Sequence, residues 1–194
     1  MGMHNIAQRL ETLLSESRSS ALNRERGTLD SILGSPDDPF LLFGAGNLGR
    51  KALKQLSAIG KRPVGFIDNN PQLWGMNIDD LPIMSPAEAT TRFNPTSVGV
   101  ITTIWCGEAT DKMGDRIAPI RDLGFSRIAM FGHLAWKFQE GFLPHFSLDR
   151  PSRVIDARDC ILKAFPLLAD EASRRLFVDP VSYTHLRAHE TLRY

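Results

Sequence analysis

Hydrophobic and polar positions follow two different periods along this chain. Short apolar runs predict buried strands, and apolar residues spaced three and four positions apart predict amphipathic helices. The predicted strands are 40–44, 63–68, 81–84, 97–103 and 126–131, and the helices between them are 49–60, 85–93 and 108–124. Strands that alternate with helices favour parallel βαβ units. The chain is therefore predicted to be an α/β protein, with a Rossmann-like parallel sheet that carries helices on both faces.

Helical patterns flank this alternating core. Leucines at helical spacing predict one or two helices within 4–33, before the turn-rich "SPDDP". After Phe131 an aromatic-rich, irregular stretch precedes two short predicted helices within 154–178. The predicted organisation has four parts: an N-terminal helical cap over 1–35, a Rossmann-like nucleotide-binding domain over 36–132, a helical connector over 133–180 and a tail over 181–194.

The tail differs from the rest of the sequence. Both tyrosines of the chain lie in its last 14 residues, and "VSYTHLRAHETLRY" has neither strand alternation nor a helical apolar stripe. It resembles read-through of sequencing-adapter DNA, which would mean that the natural frame was lost near Pro180. A genuine polar C-terminal tail is the alternative. The tail is therefore expected to contribute nothing to function.

Composition narrows the classes of partner. A net charge of +1 supplies no strong field that would draw the chain to nucleic acid or a membrane surface. No apolar run has the length of a membrane span, and the N-terminus lacks a secretory pattern. The two cysteines form no CxxC pair and suit a reducing compartment. A cytoplasmic location is expected, with no nucleic acid and no membrane as partner.

The stretch "FLLFGAGNLGRKALKQL" contains G-x-G-x-x-G at Gly44, Gly46 and Gly49. It follows an apolar strand, opens an amphipathic helix, and is followed at Asp68 by an acid that ends the next strand. Asp68 lies 19 residues after Gly49, close to the spacing of about 20 residues in the dinucleotide fingerprint. The pattern predicts a nucleotide whose phosphate meets the helix N-terminus. The alternative is compact strand–helix packing whose ligand has been lost.

The predicted cofactor-binding residues come from three strand ends. Backbone groups of the loop are expected to contact phosphate, Asp68 and its neighbour to hold ribose, and two threonines to offer hydroxyls. They are Gly44, Ala45, Gly46, Asn47, Leu48, Gly49, Asp68, Asn69, Thr102 and Thr103. Trp105 is expected either to stack on a base or to fill the core, with core favoured.

The sequence predicts no catalytic set and no metal site. The residues after Gly49 are Arg50 and Lys51, so the lysine and hydroxyl of an NTPase phosphate loop are not in place. No tyrosine precedes the tail, which excludes the Tyr and Lys pair of short-chain dehydrogenases. His4, His133 and His145 are isolated, and no His, Cys and Asp cluster has zinc spacing.

Four segments, "LLFGAGNLGRKAL", "PVGFIDNNPQLWG", "LPIMSPAEA" and "FLPHFSLDRP…DEASRRLFV", resemble the N-terminal region of some FkbM-type methyltransferases. The resemblance runs from Phe40 to Val178. "GFIDNNP" is also similar to the nucleotide-sugar-binding half of some sugar acyltransferases. The resemblance implies an accessory domain of a transferase that uses S-adenosylmethionine in a second domain, missing here but present in cis in the parent protein. That domain's acid and second glycine-rich turn have no counterpart in this chain, so the fragment is expected to lack methyl-transfer activity.

The sequence is compatible with three functions. One is an accessory nucleotide-binding domain, with NAD or a nucleotide-sugar as ligand. The second is a small NAD-dependent oxidoreductase, for which the proton donor is missing from the sequence. The third is a structural module that positions or dimerises the methyltransferase, so a homodimer also stays open.

Overall fold

The computed structural model of the chain describes residues 3–35, 37–104, 113–145 and 148–183. Its strands are β1 Phe40–Phe43, β2 Phe66–Ile67, β3 Asn77–Ile78, β4 Leu81–Met84, β5 Gly99–Thr102 and β6 Arg127–Ala129. Its helices are α1 Met3–Leu14, α2 Arg18–Leu33, α3 Asn47–Ala58, α4 Pro86–Arg92, α5 Met113–Asp122, α6 Phe131–Lys137, α7 Gln139–Phe142, α8 Pro151–Asp156, α9 Arg158–Ala164 and α10 Glu171–Tyr183. Two 3₁₀ turns, Pro71–Leu73 and Phe165–Leu167, lie between them.

The six strands form one sheet in the order β3-β4-β2-β1-β5-β6. Every pairing from β4 to β6 is parallel, and only the β3–β4 pair is antiparallel. Counting the parallel strands alone, the spatial order is third, second, first, fourth, fifth. This is the order of the Rossmann fold, in which strand order reverses between the first and fourth strands. The predicted α/β Rossmann-like parallel sheet is confirmed.

Helices lie on both faces of this sheet. On one face, side chains of the central strands form a buried cluster with residues of α4 and α5; it includes Leu41, Phe43, Ile67, Met84, Ala89, Val100, Ile117 and Ile120. On the other, Leu33 at the end of α2 lies so close to β5 that a Cβ on Gly99 would meet its Cδ2 at 2.7 Å. Covering of both faces explains why the strands are continuous apolar runs.

Helix α4 begins as its sequence predicts. Ser85 is the N-cap, its hydroxyl accepts from the Glu88 N–H at 3.0 Å, and Pro86 occupies the first turn. The short antiparallel strand β3 was not predicted. It pairs with β4 through a two-residue turn whose residues Asp79 and Asp80 have φ of 47° and 65°. Both values suit a type I′ hairpin.

The described chain divides into two compact units. One is Leu29–Leu134, which contains the whole sheet. The other comprises the residues up to Thr28 together with those from Ala135 onward. Its buried cluster joins α1 to the C-terminal helices and contains Ile6, Leu10, Leu14, Ala21, Ile155, Val178 and Val181. The boundaries expected from sequence, at 35/36 and 132/133, remain predictions.

The C-terminal half is more helical than the sequence suggests. The stretch 133–151, expected to be irregular, contains most of α6 and all of α7. Within the tail 181–194, helix α10 ends at Tyr183, and residues 184–194 lie outside the described part of the chain. Among the described residues, no helix has both the length and the apolar character needed to span a membrane.

Candidate functional site

Three loops meet at one edge of the sheet. In the parallel registers Phe43 pairs with Ile67 on one side and with Thr102 on the other, so β1, β2 and β5 end at the same level. The next residues, Gly44, Asp68 and Thr103, therefore start neighbouring loops. This edge, at the reversal of strand order, is where open α/β sheets bind ligands.

We call residues 44–49 the glycine loop. Two of its glycines are required by the fold itself. Gly44 has φ of 113°, which side-chain-bearing residues rarely adopt. Gly49 lies in the first turn of α3, where a Cβ would stand 2.0 Å from the Gly44 carbonyl oxygen. Both allow the tight passage from β1 into α3.

Gly46 is different. Its φ of −76° and ψ of −162° are extended backbone that any residue adopts. A Cβ built on it meets no atom of the described residues within 4 Å. Neither the backbone conformation nor packing against the described residues therefore requires glycine at this position. A side chain there would instead occupy space in front of the loop.

The N-terminus of α3 borders the space in front of Gly46. Gly46 is its N-cap, and no side chain caps the helix. The Arg50 N–H already bonds to the Gly46 carbonyl at 3.0 Å, whereas within the described part of the chain no acceptor is found for the N–H groups of Asn47, Leu48 or Gly49. Such groups at a helix N-terminus, together with the helix dipole, attract an anion.

Asp68 is held beside the glycine loop by four hydrogen bonds. Its Oδ2 accepts from the Ala45 N–H at 2.7 Å, and its Oδ1 accepts from the Asn70 N–H at 2.8 Å. Its own N–H donates to the Met84 carbonyl at 3.1 Å, and its carbonyl accepts from Nε1 of Trp74 at 2.8 Å. A carboxylate has about four acceptor positions, so two remain that no described residue fills.

The two threonines after β5 are engaged inside the protein. Thr103 is buried, and its hydroxyl lies 2.8 Å from the Gly44 carbonyl and 3.1 Å from that of Phe43. Buried Thr102 has its hydroxyl 3.6 Å from the Met130 sulfur. Thr103 thus fixes the glycine loop against β5. A direct contact of either hydroxyl with a ligand remains a prediction.

Asn69 and the basic residues of α3 lie at the rim. The Asn69 amide donates to the Arg116 carbonyl at 3.3 Å, which connects the loop after β2 to α5. Arg50 and Lys51 are exposed, and neither forms an ion pair with a described acidic residue. Their positive charges add to the field at the start of α3.

The isolated histidine His133 has a structural partner in the described part of the chain. His133 is buried, and its Nδ1 accepts from the Met130 N–H at 3.2 Å at the start of α6, which is a capping role. The part of the chain that the structure describes holds no group of three or more His, Cys, Asp or Glu residues suited to a metal. Trp105 and Cys106 lie outside the described residues.

Sequence reasoning missed one residue of this edge. Trp74, which bonds to Asp68, was given no role, although it stands in the segment "DNNPQLWG" six residues after that acid. The signal available in the sequence was an aromatic side chain within a segment whose Asn and Pro residues favour a turn.

Comparison with known proteins gives few matches. No family model matches the chain. No curated protein matches it either. Two solved structures are similar: a crystal structure of RSP, a Rex-family repressor, and a crystal structure of RSP in complex with beta-NADH. Each is 26% identical over 52% of this chain, with TM-scores of 0.38 and 0.37. The match spans about half of those proteins, 48% and 49%.

Proposed function

We propose that the sheet-containing unit binds a nucleotide at the glycine loop. The α-helical N–H groups of Asn47, Leu48 and Gly49 would receive a phosphate, and the remaining acceptor positions of Asp68 would receive the ribose hydroxyls. NAD and nucleotide-sugars are the candidate ligands. Under this proposal the described unit binds the ligand, and the chemistry is assigned to the missing domain of the parent protein.

The observation that carries this proposal is that a Cβ built on Gly46 meets no atom of the described residues within 4 Å. Gly44 and Gly49 are explained by backbone conformation and by packing, so they would persist in a loop with no ligand. Gly46 is explained by neither. Close approach of an outside group to the main chain is the physical reason that remains for a glycine there.

The parent protein is proposed to be an FkbM-like methyltransferase. The support is the sequence resemblance over Phe40–Val178, with the glycine loop and "DNNPQLWG" as its most specific parts. Under this proposal S-adenosylmethionine binds only the domain that follows in cis. Genomic sequence beyond codon 180 tests it: a continuing frame with an acid-ended strand and a second glycine-rich turn is expected. The cytoplasm is the proposed location, and the exposed free thiol of Cys160 fits its reducing conditions.

A valine at position 46 tests the nucleotide site. Gly46→Val should abolish binding of ADP, NAD or UDP-glucose measured by calorimetry, because the branched side chain would fill the space in front of the helix N-terminus. The circular dichroism spectrum should stay near that of the wild type, since the backbone is extended and the site open.

Gly27→Val is the matched control for this experiment. Gly27 lies in α2, in the other unit, and a Cβ there also meets no described atom within 4 Å. The affinity of Gly27→Val for each of these nucleotides should equal that of the wild type. Equal affinity in Gly46→Val would refute the loop assignment. Turnover of NADH by the wild type would favour the oxidoreductase, and no thermal shift with any nucleotide would favour a purely structural module.

A further inference from the structure

Trp74 is fixed at the edge of the candidate ribose site. It ends the 3₁₀ turn Pro71–Leu73, which is capped by the Asn70 side chain accepting from the Gln72 N–H at 3.1 Å. Its indole Nε1 donates to the Asp68 carbonyl at 2.8 Å. One edge of the ring system therefore stands against the same residue whose carboxylate contacts the glycine loop.

The rest of this side chain is open to solvent. Trp74 is 41% exposed, whereas Trp136 is 1% exposed. Tryptophan is a highly buried residue on average, so a large exposed indole is informative. Since its single N–H group is already used, the exposed part of the ring offers a ligand an aromatic surface and no hydrogen-bond donor.

We infer that Trp74 is the platform on which the nucleobase stacks, and that the site prefers purine nucleoside diphosphates. This inference rests on the proposed nucleotide site. A ribose held at Asp68 carries its base within reach of an indole anchored to that residue's carbonyl. Recognition by stacking alone depends on the area of the base and not on its hydrogen-bonding pattern. The two rings of a purine cover more of the indole than the single ring of a pyrimidine.

The competing explanation is purely structural. Under it, the indole serves only to close the turn through its bond to the Asp68 carbonyl, and its exposed surface has no partner. Substitutions separate the two explanations. Trp74→Phe removes the N–H group but keeps an aromatic ring, whereas Trp74→Leu removes the N–H group and the aromatic ring but keeps an apolar side chain.

The experiment is calorimetric titration of the full chain with ADP, UDP and pyrophosphate. ADP and UDP share the ribose and the phosphates and differ only in the base, and pyrophosphate lacks both base and ribose. The wild type should bind ADP more tightly than UDP. Trp74→Leu should weaken ADP binding by about 5- to 150-fold, the range for loss of one base–aromatic stack. Trp74→Phe should retain most of the affinity, and pyrophosphate binding should be the same in all three proteins.

Ile59→Ala is the control for loss of an exposed apolar side chain. Ile59 is 47% exposed and lies beyond the C-terminal end of α3, opposite the helix end at the glycine loop. The Ile59→Ala variant should bind ADP with the affinity of the wild type. The inference is overturned if Trp74→Phe and Trp74→Leu lose ADP and pyrophosphate equally, if Trp74→Leu binds ADP like the wild type, or if the wild type binds ADP and UDP equally. A wild type that binds none of the three probes refutes the nucleotide site as well.

Discussion

At the scale of single residues, the three motif glycines have three different physical reasons. Gly44 supplies a positive φ, Gly49 permits a close helix–loop contact, and a Cβ on Gly46 would meet no described atom within 4 Å. The sequence alone predicted that backbone groups of this loop contact phosphate. It could not show that Thr103, expected to face a ligand, is buried and bonded to the loop. Burial of that hydroxyl depends on the pairing of two distant strands.

Adding a methyl group should affect stability differently at Gly49 and at Gly46. Gly49→Ala should lower the free energy of unfolding by about 1–3 kcal/mol, because the new Cβ would stand 2.0 Å from a backbone oxygen and the helix must shift. Gly46→Ala, three residues earlier, should change the free energy of unfolding little, because its Cβ meets no described atom within 4 Å. Urea denaturation of both variants measures the difference. Equal stability of the two variants would contradict the close contact.

At the scale of elements, periodicity predicted the parallel strands and most helices because each of them buries an apolar face. It failed where stability comes from pairing or capping. Strand β3 has two residues, of which only Ile78 is buried, so its hydrophobic signal is too short to detect. Helix α6 begins at a cap that a histidine provides three residues into the helix, which is not a standard capping pattern.

Helix α10 offers a prediction that depends on pH. Asp170, just before the helix, accepts from the Ser173 N–H at 2.8 Å and from the Ser173 hydroxyl at 2.9 Å. The backbone bond and, after it, the hydroxyl bond hold the pKa of Asp170 below its ordinary value. A lowered folded-state pKa means that the stabilisation is complete above the unfolded-state value, about 3.9 for Asp, and is lost as the pH falls through the folded-state value.

Asp170→Ala should therefore be less stable than the wild type at pH 7, and the difference should narrow as the pH falls below about 4. Thermal unfolding at a series of pH values measures it. Asp170→Asn is the control, because an amide oxygen can still cap the helix but does not titrate. A wild-type advantage over Asp170→Ala that stays constant down to the lowest accessible pH would contradict this role for the carboxylate.

At the scale of the whole molecule, the sequence predicted the fold class because strand–helix alternation leaves few topologies open. The candidate site was expected at one edge of the sheet for the same reason. The sequence could not predict how the flanking helices combine: α1 and α10, at opposite ends of the described chain, share one buried cluster. Contacts between segments so distant in sequence leave no periodic signal.

The two units should respond differently to a ligand. Saturating ADP should slow amide exchange in the glycine loop and in residues 68–76, which lie in the unit Leu29–Leu134. The amides of α1 and α10 belong to the other unit and should exchange at unchanged rates. Hydrogen–deuterium exchange read by mass spectrometry makes the comparison, with Gly46→Val as the control that should show no protection. Protection centred on α1 and α10 would place the ligand elsewhere.

The hydrogen bonds that converge on Asp68 have a consequence for the energetics of recognition. They connect the backbone of the glycine loop to the turn after β2 without any bound ligand. None of these bonds must break before the remaining lone pairs of the carboxylate can accept from a ligand. A ligand would enter a preorganised binding site, so little conformational entropy of the protein would be lost on association. Removal of the Asp68 carboxylate would therefore loosen two segments at once, the glycine loop at Ala45 and the turn at Asn70.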